Sequence, residues 1–230
     1  MKHIVFLTGA GISAESGLST FRGKDGLWTK AEFEYLASLD CLKNETQRSL
    51  DFYNMRRENL AKVHPNQAHK QIAELEKFFK VSVITQNVDN LHEMAGSTKV
   101  VHLHGELMKG CSSRDTENPH FWRTMTADDY EVKPGEKAAD GSLLRPYIVF
   151  FQENVPNIYD AIEEARKADI FIIIGTSLNV YPAASLMQYV PASAEVYLID
   201  PNPARANGVT VIQKGASEGM KELMTVLRSV

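Results

Sequence analysis

Cysteine is almost absent from this 230-residue chain, which has only Cys41 and Cys111. Two isolated thiols exclude a disulfide scaffold and point to a reducing compartment. Long apolar runs are missing as well. The longest, Ile170–Ile174, has the length of a strand, as does Ile4–Leu7 behind Met1-Lys2-His3. Neither has the length of a signal or transmembrane segment. Clustered positive charge is also lacking. Lys and Arg are scattered, with no run longer than Arg56-Arg57, and the net charge is −4 with a pI near 6.0. These values exclude a nucleic-acid groove that works by counterion release, and a basic membrane-facing surface. No internal repeat or low-complexity tract occurs. The expectation is a cytoplasmic protein whose partner is a small molecule or another protein.

What is present fits an α/β enzyme. The hydrophobic fraction of 43% is enough for a sizeable core, in one domain that can carry a smaller lobe. Short β-branched runs recur at Ile4–Leu7, Val81–Thr85, Val100–Leu103, Tyr147–Phe151, Ile170–Ile174, Val196–Ile199 and Val209–Ile212. Several are apolar on both faces, as parallel strands covered by helices are. Between them, Pro65 opens a helix with Ala68, Ile72, Leu75 and Phe79 on one face. Ile158, Ile162 and Ala165 mark another helix, and Met220, Leu223, Met224 and Leu227 the last. The alternation predicts a Rossmann-like, doubly wound parallel sheet. Two stretches interrupt it: residues 14–64 without a convincing strand, and the turn-rich residues 106–144. A single domain over residues 1–230 is expected, with a small lobe built from about residues 24–64 and 106–144.

The first strand runs into Gly9-Ala10-Gly11-Ile12-Ser13-Ala14, which fits G-x-G-x-x-G/A. Such glycines allow a tight turn and close approach of backbone N–H groups to a pyrophosphate. A dehydrogenase would place its second strand within ~30 residues. Here the next strand waits until Val81. A hydride-transferring enzyme is therefore disfavoured.

Further motifs follow in order: Phe21-Arg22-Gly23, Gly26-Leu27-Trp28, Gln86-Asn87-Val88-Asp89-Asn90-Leu91-His92, His102-Leu103-His104-Gly105, Leu144-Arg145-Pro146, Gly175-Thr176-Ser177-Leu178 and Pro182-Ala183. The ordered set, spanning nearly the whole chain, closely resembles the sirtuins, NAD-dependent protein lysine deacylases. The resemblance implies that NAD is consumed and that acylated lysine side chains of proteins are the partners. It implies that Gly9, Ala10, Gly11, Ile12 and Ser13 hold the pyrophosphate, with Phe21, Arg22 and Trp28 also at the cofactor. Gln86, Asn87 and Asp89 would line the ribose and nicotinamide pockets, and Gly175, Thr176 and Ser177 the adenosine side. Asn202 and Ala216 would border adenine, although a turn and a helix start explain them nearly as well. Asn87 or Asp89 can equally cap a helix.

His104 is the expected catalytic base, acting with Asn87 and Asp89, because a neutral imidazole can take a hydroxyl proton near pH 7. His102 competes on chemistry alone; the family's His-Gly pair selects His104. In the mechanism implied, the acyl oxygen attacks C1′ of the nicotinamide ribose and expels nicotinamide. The base then activates a ribose hydroxyl, and O-acyl-ADP-ribose results.

Tyr53 and Arg56 are spaced i, i+3 in a helical segment, so they share a face. A phenol beside a guanidinium suits a terminal carboxylate, though such pairs also occur as ordinary surface residues. Together with Ala14, the pattern resembles the desuccinylase–demalonylase branch, with acetyl a weaker or comparable substrate. Many sirtuins bind a structural zinc through two Cys-x-x-Cys pairs. Residues 106–144 hold only Cys111, with Arg114 three positions on. Four ligands cannot be assembled from Cys111 and His120, so no zinc is expected. Met108, Phe121, Trp122 and Tyr130 are expected to hold the lobe by apolar packing. Phe151-Gln152-Glu153 departs from the family's Phe-Gly-Glu, adding a side chain beside the peptide. Rival readings are an NAD glycohydrolase or ADP-ribosyltransferase, and a non-catalytic NAD or ADP-ribose sensor.

Overall fold

A computed structural model describes residues 1–18, 29–176, 183–203 and 208–227. Phe21, Arg22, Trp28 and Ser177, all expected at the cofactor, lie outside the described residues. Strand β1 (His3–Thr8) runs into the short helix α1 (Ala10–Ala14). Helices α2 (Lys30–Leu36), α3 (Leu39–Asn44), α4 (Thr46–Leu60) and α5 (Gln67–Leu75) precede β2 (Lys80–Thr85). Next come α6 (Leu91–Ala95), β3 (Val100–His102), β4 (Gly105–Ser112), β5 (Arg123–Thr124) and β6 (Leu144–Ile148). The remainder is α7 (Ile158–Ala165), β7 (Ile170–Ile174), β8 (Glu195–Ile199), β9 (Thr210–Ile212) and α8 (Ala216–Leu227).

Six strands pair in parallel in the order β3-β2-β1-β7-β8-β9, and β5-β4-β6 form a separate antiparallel sheet. The fold is thus α/β and Rossmann-like. Strand alternation divides the core between the two faces of the large sheet. Ile4, Phe6, Ile170, Ile172 and Ile174 pack with Ile72, Met220 and Leu223 of α5 and α8. Val5, Leu7, Phe171 and Ile173 pack on the other face with Ala161 and Ala165 of α7. Each such buried side chain contributes about 1.5–3 kcal/mol relative to exposure. A third cluster joins the excursions. Leu36, Cys41, Phe52 and Tyr53 of the helical segment pack with Leu107 of β4, Ile148 and Phe150.

Three expectations are corrected. The run Tyr147–Phe151 is not a strand of the large sheet; β6 ends at Ile148 and pairs antiparallel with β4. Burial on both faces is met there by the smaller core instead. Residues 106–144 are not uniformly irregular, because β4 crosses their start. Lys109 and Gly110 interrupt its apolar alternation, and its register shifts between Gly105 and Gly110. Pro65 does not open α5; Asn66 caps it, accepting from the amides of Ala68 and His69.

The end of the large sheet where β1 and β2 begin carries a buried carboxylate. Glu164 accepts from Ser82 at 2.7 Å, Lys99 at 2.7 Å and Lys167 at 3.1 Å, with His3 Nε2 at 3.7 Å. Burial opposes its charge, but the bonds from Lys99, Ser82 and Lys167 outweigh it and hold the carboxyl at about 2. Since this lies below the ordinary 4.5, its contribution to stability is complete above about pH 4.5 and lost as pH falls towards 2. Glu164→Gln is expected to cost about 1–3 kcal/mol in denaturant unfolding at pH 7. The deficit should shrink at pH 3, and an equal deficit at both would count against this role.

Candidate active site

The glycine turn is fixed by steric interlock at the carboxyl ends of β1 and β7, where strand order reverses. Ligands of open parallel sheets bind at such a switch point. A Cβ on Gly11 would lie 2.6 Å from Gly175 Cα, and one on Gly9 would lie 2.8 Å from the Gly175 carbonyl. Gly175 has φ +61°, the left-handed region glycine tolerates, and a Cβ there would meet Ile12 N at 2.5 Å. The amides of Gly9 and Gly11 donate to the carbonyls of Ile174 and Gly175 at 3.0 and 2.9 Å. These two glycines therefore serve packing, and their N–H groups are not free for a phosphate. The Ile12 side chain lies in the core, and its carbonyl accepts from Asn66 at 2.7 Å. Ala14 is exposed at the end of α1. Glu15 accepts from the Ser217 amide at 3.2 Å, tying the turn to α8, whose first residue is the buried Ala216. Asn202 is exposed after β8, its amide held by Asp200.

The Ser13 side chain turns to the motif that follows β2. Its hydroxyl donates to Asp89 at 3.0 Å and accepts from Asn87 Nδ2 at 3.1 Å, while Asn87 also donates to the Gly9 carbonyl. Asp89 Oδ1 accepts from the Leu91 amide at 3.2 Å, while Asn90 holds the N-cap position of α6 without a side-chain bond. Burial raises the Asp89 pKa, against the bonds from Leu91 and Ser13. Gln86 donates to Thr176 Oγ1 at 2.8 Å, bridging the ends of β2 and β7. Beneath this loop, Thr8, Thr85 and His92 form a buried chain that sequence reasoning missed. Thr8 gives its proton to Thr85, Thr85 accepts from the Asn87 amide, and His92 Nε2 donates to Thr8. The His92 that closes the motif was the available signal.

The two competing histidines are distinguished by their partners. His102 Nδ1 faces the Asn87 carbonyl at 3.0 Å and its Nε2 faces Glu93 at 2.8 Å. Both partners only accept, so both nitrogens carry hydrogen. Burial works against that charge, but Glu93 outweighs it and His102 is held above its ordinary pKa. His104 stands two residues beyond β3 and is half-buried. Its Nδ1 donates to the Gln86 carbonyl at 2.9 Å, which fixes the neutral tautomer and leaves the Nε2 lone pair as a proton acceptor. Burial holds its pKa below 6.5. A histidine held towards its charged form is the poorer base near neutral pH, and His104 has the tautomer and the lowered pKa that a base requires.

On α4, Tyr53 is fully buried, and its hydroxyl has no hydrogen-bond partner among the described residues. Arg56 is half-buried, 5.5 Å above the Phe52 ring and 5.8 Å above Phe33. This placement rules out the ordinary-surface reading of the pair. The small sheet packs as expected at Met108 and Tyr130, which lie against Met125, Val132 and Leu144. Trp122 instead sits over Tyr147 at 4.5 Å, with Lys109 4.9 Å from its own ring. Cys41 and Cys111 are both buried, and burial pushes the Cys111 thiol up to about 12. Gln152 is the one non-glycine residue at positive φ (83°) among the described residues, and it donates to Asp40 at 3.1 Å.

Residues 9–182 match the model of the Sir2 family. An NAD-dependent protein deacylase of Bacteroides thetaiotaomicron is 56% identical over 230 residues, covering 99% of this chain and 98% of that protein. One of Helicobacter pylori is 47% identical with the same coverage. Among solved structures, a Sir2 homolog–NAD complex aligns with TM-score 0.86 and 38% identity over 99% of this chain and 90% of that one. Sir2 bound to acetylated peptide aligns with TM-score 0.80 and 28% identity, over 99% and 94%.

The imidazole assignments have a direct spectroscopic check. Long-range ¹H–¹⁵N correlation should show His104 titrating below pH 6.5 and carrying its neutral proton on Nδ1. His102 should keep both protons above that pH. A proton on His104 Nε2 in the neutral form would remove it as a base.

Proposed function

The chain belongs to the Sir2 family and is an NAD-dependent protein deacylase, and from that premise we propose that it takes succinyl and malonyl groups from lysine side chains, with acetyl a weaker or comparable substrate. The observation that carries this reading is the buried Tyr53 hydroxyl, without a partner among the described residues and one helical turn from Arg56. A buried hydroxyl without a partner costs about 1–3 kcal/mol. An acyl carboxylate arriving there would satisfy it and pair with Arg56 through charge-assisted bonds. Acetyl has no such terminus. The similarity to Sir2 bound to acetylated peptide supports acyl-lysine in a polypeptide as the substrate.

NAD supplies the ribose carbon that receives the acyl oxygen, and its ADP-ribose carries the acyl group away. His104 takes the ribose hydroxyl proton on Nε2, its ring aimed by the Gln86 carbonyl. Asn87 and Asp89 orient the nicotinamide ribose, themselves held by Ser13 and the Gly9 carbonyl. Gln86, Gly175 and Thr176 line the dinucleotide at the switch point, and Ala10 borders the pyrophosphate. Phe21, Arg22, Trp28 and Ser177 are assigned to the cofactor by family likeness, as are the outlying Asn202 and Ala216. The small lobe is read as zinc-free. Its lone Cys111 is buried with its thiol towards the Pro146 carbonyl, and Cys41 belongs to a different cluster. A tetrahedral site needs four ligands.

Nicotinamide release from NAD, measured with acetyl-, malonyl- and succinyl-lysine peptides, tests the reading. His104→Ala should lower peptide-dependent release by about 100-fold or more. Arg56→Met should lower the succinyl-to-acetyl ratio of kcat/KM by about tenfold. Full activity in His104→Ala, or equal losses on both peptides in Arg56→Met, would overturn the respective assignment. Release without any peptide would favour an NAD glycohydrolase.

A further inference from the structure

Helix α4 buries a second arginine that the acyl receptor does not use. Arg57 is the largest fully buried side chain among the described residues. Its Nε donates to the Leu107 carbonyl at 2.7 Å and its Nη1 to Asn54 Oδ1 at 2.9 Å, while Nη2 has no partner among the described residues. Both acceptors are neutral. They hold the planar fork in place without cancelling its charge, and no described carboxylate forms an ion pair with it. Glu136, whose field reaches Arg57, is bound to Arg123 at 2.6 Å, and Glu153 is bound bidentately to Arg145 at 2.7 and 2.8 Å.

Tyr53 lies one turn earlier, spaced i, i+4 from Arg57 and i, i+3 from Arg56, so both cations neighbour it on the helix. The fields of Arg56, Arg145 and Arg57 all act on its phenol. A desolvated cation with neutral partners leaves its surroundings electropositive, because little solvent screens it. The Leu107 amide in turn donates to the Val88 carbonyl at 2.7 Å, so the same contact runs on to the loop that carries Asn87 and Asp89.

We propose that Arg57 is a specificity-determining residue that acts through Tyr53: an unneutralised buried cation whose field, added to that of Arg56, favours an acyl chain ending in a carboxylate. The inference rests on the carboxylate-receptor reading of Tyr53 and Arg56 and extends it to a residue that does not touch the acyl group. A neutral acetyl group gains nothing from this field. An anionic terminus neutralises it, so the effect belongs in KM and not in kcat.

The test measures kcat and KM separately on succinyl- and acetyl-lysine peptides for wild type, Arg56→Met, Arg57→Met and Arg57→Lys, together with thermal unfolding. Replacing a buried charge by an apolar chain of similar length is often tolerated. Arg57→Met should raise the succinyl KM about tenfold relative to the acetyl KM, with the ratio of kcat values unchanged. Arg57→Lys, which keeps charge but loses the fork, should retain most of the preference. Should Arg57→Met not fold, Arg57→Gln removes the charge while keeping a donor for Leu107, and the same KM split is expected. A purely structural role predicts lower melting temperature with equal losses on both peptides, and that result would overturn the proposal. If Arg56→Met loses the succinyl preference and the neutral Arg57 variants keep it, Arg57 alone is excluded. If wild type shows no preference and Arg56→Met is silent, the receptor reading fails and this inference with it.

Discussion

Backbone contact among Gly9, Gly11 and Gly175 sets the level at which everything else in the site stands. The register of the large sheet brings Thr8, Thr85 and Ile174 to one edge. Only there can the turn after β1 lie against the end of β7 closely enough for its amides to bond across the gap. With the turn so seated, the Gly9 carbonyl is within reach of Asn87 and Ser13 is within reach of Asp89. Gln86 closes the arrangement from β2 to Thr176. A methyl group at any of the three glycines would push the strands' ends apart and separate these donors from their acceptors.

Charge is distributed over this scaffold by small differences in partner. Two histidines two residues apart are shifted in opposite directions, because one meets a carboxylate and the other only a carbonyl. Glu93 thus favours the charged form of His102 beneath the loop, while burial pushes His104, which meets only a carbonyl, towards the neutral form. On α4 the same logic runs in reverse. Cations are brought together while Glu136 and Glu153 nearby are occupied by Arg123 and Arg145.

Much of the scaffold was legible because periodicity reports burial. Ala68, Ile72 and Leu75 of α5, and Met220, Leu223 and Met224 of α8, repeat at helical spacing and all fall in one core cluster. β4 was not legible, since lysine and glycine interrupt its apolar alternation and its register shifts midway. The motif residues were legible by order and type, but not their wiring. That Ser13 bonds Asp89 rather than remaining with its own turn depends on how β1 and β2 align, which no local pattern encodes. Likewise, adjacent arginines at 56 and 57 look alike in sequence. Helical geometry points one towards the aromatic rings of Phe33 and Phe52 and the other into the seam with β4.

The parallel register has a consequence for the order of assembly. β1 is centred in the sheet, yet Ile4 pairs with Lys80's neighbour Val81 on one side and with Ile170 on the other. In the order of synthesis β1 therefore precedes β7, its second neighbour, by the whole of the helical segment and the small sheet. Until β7 emerges, β1 presents an unpaired apolar edge, and such non-local pairings are slow to form. The nascent chain should thus depend on shielding of His3–Thr8 until β7 has emerged, and the turn after β1 takes its final place only once Gly175 closes against it.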